Sequence, residues 1–421
     1  MGLMVEIMNG LKKININSLI IIIFLIFDVR FFYMINLPKY FSGDGTNKML
    51  LSLFGICLFI YYVLRHKFAA GEFGIYILGL YVILAGVSVH SLLKFDYKIT
   101  QVVWPLFPFI NLIYYFILRE IFKSKRNFRF FLRAAEIVWS LLVFLFLAQR
   151  FLYLRSHTVF MKLGVMLPDY YFNHPELGFR IYNVFEGFNR IFVILTAYLI
   201  FKKHFKKCMC EIIYTLLGLL AILLVDGSRF YIATVVLVIL IEFLVVNKER
   251  LRFGAFFLLL CGLLMGAAVG YKIYKSVNAD ISENTGSSYA RTGAIDYYMS
   301  EMKGSNLFFG FGIANPDEGD TLYKVIHGPD ENYHFDDIGL VGTFAKLGIF
   351  SIIWYILFLL KIIQLTINTD KERRALSIGI TTMAAVALIT QSYLDPQRLL
   401  ALLFSMVLLE INKKSPETIS N

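Results

Sequence analysis

Apolar runs of about twenty residues, each long enough to cross ~30 Å of hydrocarbon, recur along this chain from Ser18 to Ile411. A water-soluble fold would have to bury every one of them, and 421 residues hold too little polar surface for that. The chain is 58% hydrophobic and only 17% charged, with a mean hydropathy of +0.66, far from the ~25% charged residues of an average soluble domain. The expectation is an all-α, polytopic membrane helical bundle forming a single integral membrane domain over 1–421. There is no separate soluble domain, internal repeat or low-complexity tract. The first run, Ser18 to Leu37, is too long for a signal-peptide core and lacks a small-residue cleavage site, so it reads as the first spanning helix. Spans are expected near 18–37, 49–64, 73–93, 102–118, 132–150, 188–201, 211–226, 229–247, 253–271, 338–360, 376–394 and 398–411, about 12 transmembrane helices with the sixth and twelfth short.

Basic residues set the orientation. They are more than twice as dense in the segments around Lys12–Lys13, Arg65/Lys67, 119–133, 202–211, 248–252, 361–374 and Lys413–Lys414 as in the alternate connections. That side is expected to be cytoplasmic, with both termini inside. The net charge of +11 reflects this bias and attraction to anionic membrane lipid; nucleic acid is not implied as a partner. Of the four cysteines, Cys57 and Cys261 fall in spans and Cys208 and Cys210 in a basic turn, so neither disulfides nor a metal site are expected.

Two larger extracytoplasmic loops follow, at 151–188 and 272–337. The second holds eleven acidic against five basic residues, and loops this long usually carry function. Within it, SSYARTGAIDYYMSEM predicts a short helix entered at Ser287 or Ser288, followed by the turn-rich GSNLFFGFGIANP. Both loops are rich in Tyr and Phe, which either stack on sugar faces or form an interfacial belt. The second ends in HGPDENYHFDDIGLVG (327–342), placing His327, His334, Asp330, Glu331, Asp336 and Asp337 at the mouth of an apolar helix.

Charges at membrane edges are costly and often functional. VDGSRF (225–230) joins two spans and sets Arg229 at the head of the eighth, with Asp226 as an available partner. Glu186 and Arg190 are four apart, so an intrahelical pair is the default. Arg180 has no such neighbour, and Asp296 is the nearest acid to Arg291 without ideal helical spacing. Asp28 and Arg30, two apart in the first span, read as structural. Arginines beside aromatic loops and carboxylates suit a diphosphate on a sugar-bearing lipid.

The order GFRIYNVFEGFNR, DGSRFYIATVVLVIL, SYARTGAIDYYMSEMKGSNLFFGFGIANP and DDIGLVGTFAKLGIFSIIWYIL resembles the O-antigen polymerase and O-antigen ligase superfamily of envelope polysaccharide assembly. The resemblance covers roughly 180–355. It implies transfer of an oligosaccharide from undecaprenyl diphosphate to an acceptor hydroxyl at a bacterial plasma membrane, without cofactor or metal. It implies that Arg180, Arg229 and Arg291 hold the diphosphate, with Arg190 and His327 as further binding candidates. Ligases carry a His-Asn pair at the position of Asp336–Asp337, so this chain looks more like the polymerases of capsule and exopolysaccharide clusters. Asp337, His334 or Asp336 would accept the acceptor's proton. A polysaccharide chain-length regulator is a conceivable partner.

Three other readings were weighed on the same residues. A Mn²⁺ or Zn²⁺ site from His327, His334, Asp336 and Asp337 matches no known spacing. A first external loop carrying an acidic metal motif is missing, since LPKYFSGDGTNK holds only Asp44. A 12-helix transporter fits the helix count but not the absence of a repeat or the clustering of polar residues at one face.

Overall fold

The computed structural model describes residues 16–29, 44–65, 69–160, 171–174, 178–181, 186–202, 209–226, 229–246, 286–314, 321–329, 331, 333–388, 392–395 and 398–413. The expected span at 253–271 lies outside these residues, as do Arg30, Asp330, Cys208, Cys261 and the side chains of Asp28, Arg180, Glu186, Asp226 and Arg229.

The described chain is helical apart from one short hairpin. Helices α1 (Ile16–Asp28), α2 (Asp44–Arg65) and α3 (Gly74–Lys94) are followed by α4 (Ile99–Phe122) and α5 (Lys125–Ser156). Pro105 and Pro108 break α4 into short α and 3₁₀ pieces, because proline removes the amide that would continue the ladder. Strands β1 (Tyr171–His174) and β2 (Gly178–Ile181) pair antiparallel, with Phe172 opposite Arg180. Helices α6 (Glu186–Lys202), α7 (Met209–Ala221) and α8 (Arg229–Val246) follow, α7 ending in a π-helical turn over Ile222–Asp226. The segment after the undescribed stretch folds into α9 (Gly286–Glu301), α10 (Ser305–Phe309) and α11 (Thr321–His327), then a 3₁₀ turn at Phe335–Asp337. The chain closes with α12 (Gly339–Leu347), α13 (Ile349–Ile367), α14 (Arg374–Ala387) and α15 (Leu399–Asn412).

Among the described residues, five helices are long and apolar enough to cross a membrane: Lys48–Arg65 within α2, then α3, α4, α5 and α13. The outward face of α3 is as apolar as its inward one. On α3, Ile77, Leu80, Leu84 and Val87 are buried, while Ile75, Leu78, Val82, Val89 and Leu93 are exposed at helical spacing. Such a stripe suits lipid rather than water. Inside, one contiguous core runs through the bundle around Trp139, Tyr114, Tyr355 and Phe358. A second, smaller core lies beside it, built on Tyr298, Phe311, Phe335 and Ile338.

The two ends of the bundle differ in chemistry. At one end Glu72 meets Lys361 and Lys413, Arg119 meets Glu410, Lys202 meets Glu372, and Thr369 bridges to Lys413. These belong to the connections in which basic residues are densest. At the other end Lys94 Nζ donates to Asn306 Oδ1 at 2.7 Å, tying α3 to the folded segment 286–337.

Two expected spans are corrected. The run 338–360 is not one helix: it breaks at Gly348 (φ +74) into α12 and α13. A helix end leaves carbonyls without partners, and here the glycine-rich segment satisfies two of them. Phe311 N–H donates to Ala345 O at 2.8 Å and Gly312 N–H to Lys346 O at 3.0 Å. Gly310 permits the approach, since a Cβ there would sit 2.5 Å from the Ala345 oxygen. The run 376–394 is also shorter than expected, because α14 ends at Ala387. Thr390, Gln391 and Ser392 give little reason to continue a lipid-facing helix, and Pro396 biases Asp395 away from helical backbone. Both α14 and α15 have 14 residues, or ~21 Å, so the connection between them is recessed among its neighbours. Ser392, Tyr393, Leu394 and Asp395 are all buried, as irregular backbone between apolar helices must be.

A candidate ion-cluster site at one end of the bundle

The recessed 392–395 turn is pinned by α13. Leu394 N–H donates to Tyr355 Oη and to Ser392 Oγ, each at 3.0 Å, and Tyr355 Oη lies 2.5 Å from Ser392 Oγ. Ser392 N–H donates to Asp395 Oδ2 at 3.0 Å, and the Arg398 guanidinium bonds the same oxygen. Opposite this turn, Leu340 N–H donates to Leu388 O at 2.9 Å, which docks the start of α12 on the end of α14.

That docking brings two carboxyls together. Lys346 Nζ donates to Asp336 Oδ1 at 2.6 Å, and the Asp336 and Asp395 carboxyls lie close enough for each to act on the other's charge. Arg398 also lies near Tyr231 of α8, and the Arg190 guanidinium of α6 lies over the Tyr231 ring. A line of neighbours therefore runs Lys346–Asp336–Asp395–Arg398–Tyr231–Arg190, with members from α6, α8, α12, the turn before α12 and the connection before α15. Its residues are mostly buried: Arg190 is 6% and Asp395 4% exposed. Asp336 differs. It is densely surrounded by protein, yet 43% of its side chain remains accessible, so it lines a hollow.

Like charges this close oppose each other's ionisation. Burial pushes the Asp336 carboxyl up, but the Lys346 ammonium and its hydrogen bond, with Arg398 behind, outweigh burial and hold it at about 2. Burial and the charge of Asp336 push Asp395 well above the ordinary carboxylate range. Asp395 is thus the harder of the two to ionise, and three cations, Lys346, Arg398 and Arg190, accompany at most two carboxylate charges: the cluster is positive. A carboxyl lowered by folding contributes stability that is complete above its unfolded value, ~4, and lost as pH falls through about 2. Wild type should therefore unfold at a higher temperature than Asp336→Asn by a constant margin above pH ~4, and that margin should shrink towards zero near pH 2. A margin independent of pH in that window would mean that Asp336 is not the ionised partner of Lys346.

The remaining sequence candidates fall around this cluster. Asp337 and His334 are exposed on the turn that carries Asp336. His327 is half-buried; its Nδ1–H donates to Tyr333 O at 2.9 Å, and its ring lies 5.2 Å from that of His334. Burial holds His327 below the usual histidine range. The turn itself is fixed by the Tyr298 ring of α9 stacked on Phe335 at 4.5 Å. Arg291 is exposed on α9, seven residues or ~10 Å of helix rise before Tyr298, outside the ion cluster. The backbone of Arg229 opens α8 two residues before Tyr231, and β2, which carries Arg180, packs on the π-helical turn at 222–226. Arg190 lies against Tyr231, while the expected partner Glu186 has its side chain outside the described residues.

Lys346, Asp395, Arg398 and Tyr231 escaped the sequence reading. Asp395 and Arg398 do carry a signal: an acid and a base three apart around a proline, between two apolar segments too short to span comfortably. Among the described residues no group of three or more His, Cys, Asp or Glu is placed to hold a metal ion.

No family model matches the chain, and no curated protein matches it.

Proposed function

We infer that this protein is a membrane glycosyltransferase that polymerises oligosaccharide repeat units carried on undecaprenyl diphosphate. The observation that carries the reading is the positive, recessed ion cluster with its accessible Asp336, set at the membrane end where the aromatic segment 286–337 packs. Charge grows on a diphosphate as its bond to the sugar breaks, and fixed cations in a poorly hydrated site stabilise it. The acceptor hydroxyl attacks the anomeric carbon, the carbon–oxygen bond to diphosphate breaks, and the diphosphate departs with the electron pair. Arg190 and Arg398, with Arg180, Arg229 and Arg291 from the resemblance, are the cations assigned to it. Asp336 lines the hollow as hydrogen-bond acceptor for the incoming sugar. The hydroxyl proton passes to Asp337 or His334, the two exposed groups on the same turn. In this reading the cluster faces outward from a plasma membrane, both termini are cytoplasmic, and a chain-length regulator would meet the acidic external segment.

The test is elongation in proteoliposomes given a lipid-linked repeat unit, with and without EDTA, comparing wild type with Arg291→Ala. A ladder that survives EDTA and is lost in the variant is expected. A ladder abolished by EDTA would return the 327–337 cluster to the metal reading. One observation favours a transporter instead: Glu242, on α8 within the bundle, is fully buried against Gly379 of α14 and accepts no hydrogen bond among the described residues. Substrate that crosses the bilayer unaltered in the same vesicles would select that reading; transfer of whole chains to a different acceptor would select a ligase.

A further inference from the structure

At the opposite end of the bundle from the ion cluster, a cavity of about 530 Å³ opens among α4, α5, α6, α14 and α15. Five cations line it, Arg119, Lys123, Lys125, Lys202 and Arg373, against a single carboxylate, Glu410. Glu410 is already taken by Arg119 and by the Tyr115 hydroxyl. Lys123 meets Glu120, and Lys202 meets the exposed Glu372, outside the cavity wall. Lys125 and Arg373 meet no carboxylate among the described residues, so the cavity carries unbalanced positive charge. The rest of the wall is apolar: Leu132 from α5, Leu195 and Leu199 from α6, and Leu376 and Leu408 from the last two helices. A second observation points the same way. Asn412 lines the cavity and is only 7% exposed, yet its Nδ2 finds no acceptor among the described residues. A buried amide donor left without a partner is costly, and the missing partner here is an acceptor.

We propose that this cavity is a binding site for an anionic phospholipid. The phosphate sits among Lys125, Lys202 and Arg373, an oxygen of the phosphate or glycerol accepts from Asn412, and the acyl chains run down the leucine wall between α5 and α6. The apolar wall argues for a lipid over a free phosphate, which would leave it wet. Basic pockets between spanning helices at the cytoplasmic surface favour such headgroups. The site stands apart from the transfer reaction and does not depend on it.

The test uses the full-length protein in phosphatidylcholine nanodiscs titrated with phosphatidylglycerol, following bound lipid by native mass spectrometry and the unfolding midpoint. Lys125 and Lys202 are exposed, so Lys125→Gln/Lys202→Gln should fold normally. At about fivefold per removed charge, the double variant should bind phosphatidylglycerol some twenty-five-fold more weakly. Lys303→Gln, at the other end, should bind as wild type does. Glycerol phosphate and inorganic phosphate at matched concentration should not raise the midpoint. Equal affinity in the double variant and wild type, equal loss in Lys303→Gln, or equal stabilisation by the soluble phosphates would each overturn the proposal.

Discussion

Arg398→Ala is expected to reduce elongation by at least about a hundredfold and to lower stability by about 3–5 kcal/mol. The two effects have different causes. Asp395 and Arg398 form a pair with 5% and 13% of their side chains exposed, so removing the cation strands a buried carboxyl that already faces Asp336. Removing it also takes away one of the two cluster cations, Arg190 and Arg398, proposed to meet the leaving diphosphate. Thermal unfolding of the purified protein reads the first effect and the ladder assay reads the second. Adding Asp395→Asn to Arg398→Ala separates them, because it removes the ionisable carboxyl left beside Asp336 without restoring the cation. Stability should then return in large part while elongation stays lost. Arg398→Lys keeps the charge but not the planar guanidinium that bonds Asp395, so partial activity is expected from it. If elongation recovers together with stability in the double variant, the cluster is a structural clasp and the site of transfer lies elsewhere.

What the sequence made legible was set by which signals are local. Hydropathy marks where apolar helices run, and α2, α3, α6 and α8 lie within a few residues of their expected bounds for that reason. The short helix 286–301 was legible because SSYARTGAIDYYMSEM is helix-compatible between turn-forming flanks. Where the chain stops being a simple span, length alone misled. A twenty-residue apolar run at 338–360 hides the break at Gly348, because the break is caused by a different segment, 310–312, arriving to take the carbonyls of Ala345 and Lys346. The same holds for charges. Asp336 stood out as one of a dense acidic group, but its partner Lys346 is ten residues away across a turn and a helix. Its second neighbour, Asp395, is brought to it by the packing of α12 on α14. Arg190 was assigned to Glu186 by helical spacing, and only the adjacency of α6 and α8 sets it against Tyr231. A pairing made by tertiary contact leaves no mark at fixed spacing, so the members of the cluster were visible singly and the cluster was not.

The break at Gly348 also yields the sharpest test of how the site is held. Gly304 and Gly348 both have left-handed backbone, φ +58 and +74, so alanine carries a similar conformational cost at each, about 1–2 kcal/mol. They differ in space. A Cβ at Gly304 meets nothing within 4 Å, whereas one at Gly348 would sit 2.0 Å from the Phe308 carbonyl oxygen and 2.2 Å from its carbon. Backbone cannot rotate away as a side chain can, so the 308–312 segment must shift, adding about 1–3 kcal/mol. Gly304→Ala should therefore lose about 1–2 kcal/mol and elongate normally. Gly348→Ala should lose at least about twice that, as read by thermal unfolding, and its elongation should fall by tenfold or more even at temperatures where the protein remains folded. The activity loss follows from position. Shifting 308–312 releases the carbonyls of Ala345 and Lys346, the end of α12 loosens, and Lys346 no longer holds Asp336 against Asp395. Equal stability and equal elongation in the two variants would mean that the clasp of 310–312 on α12 does not set the geometry of the cluster.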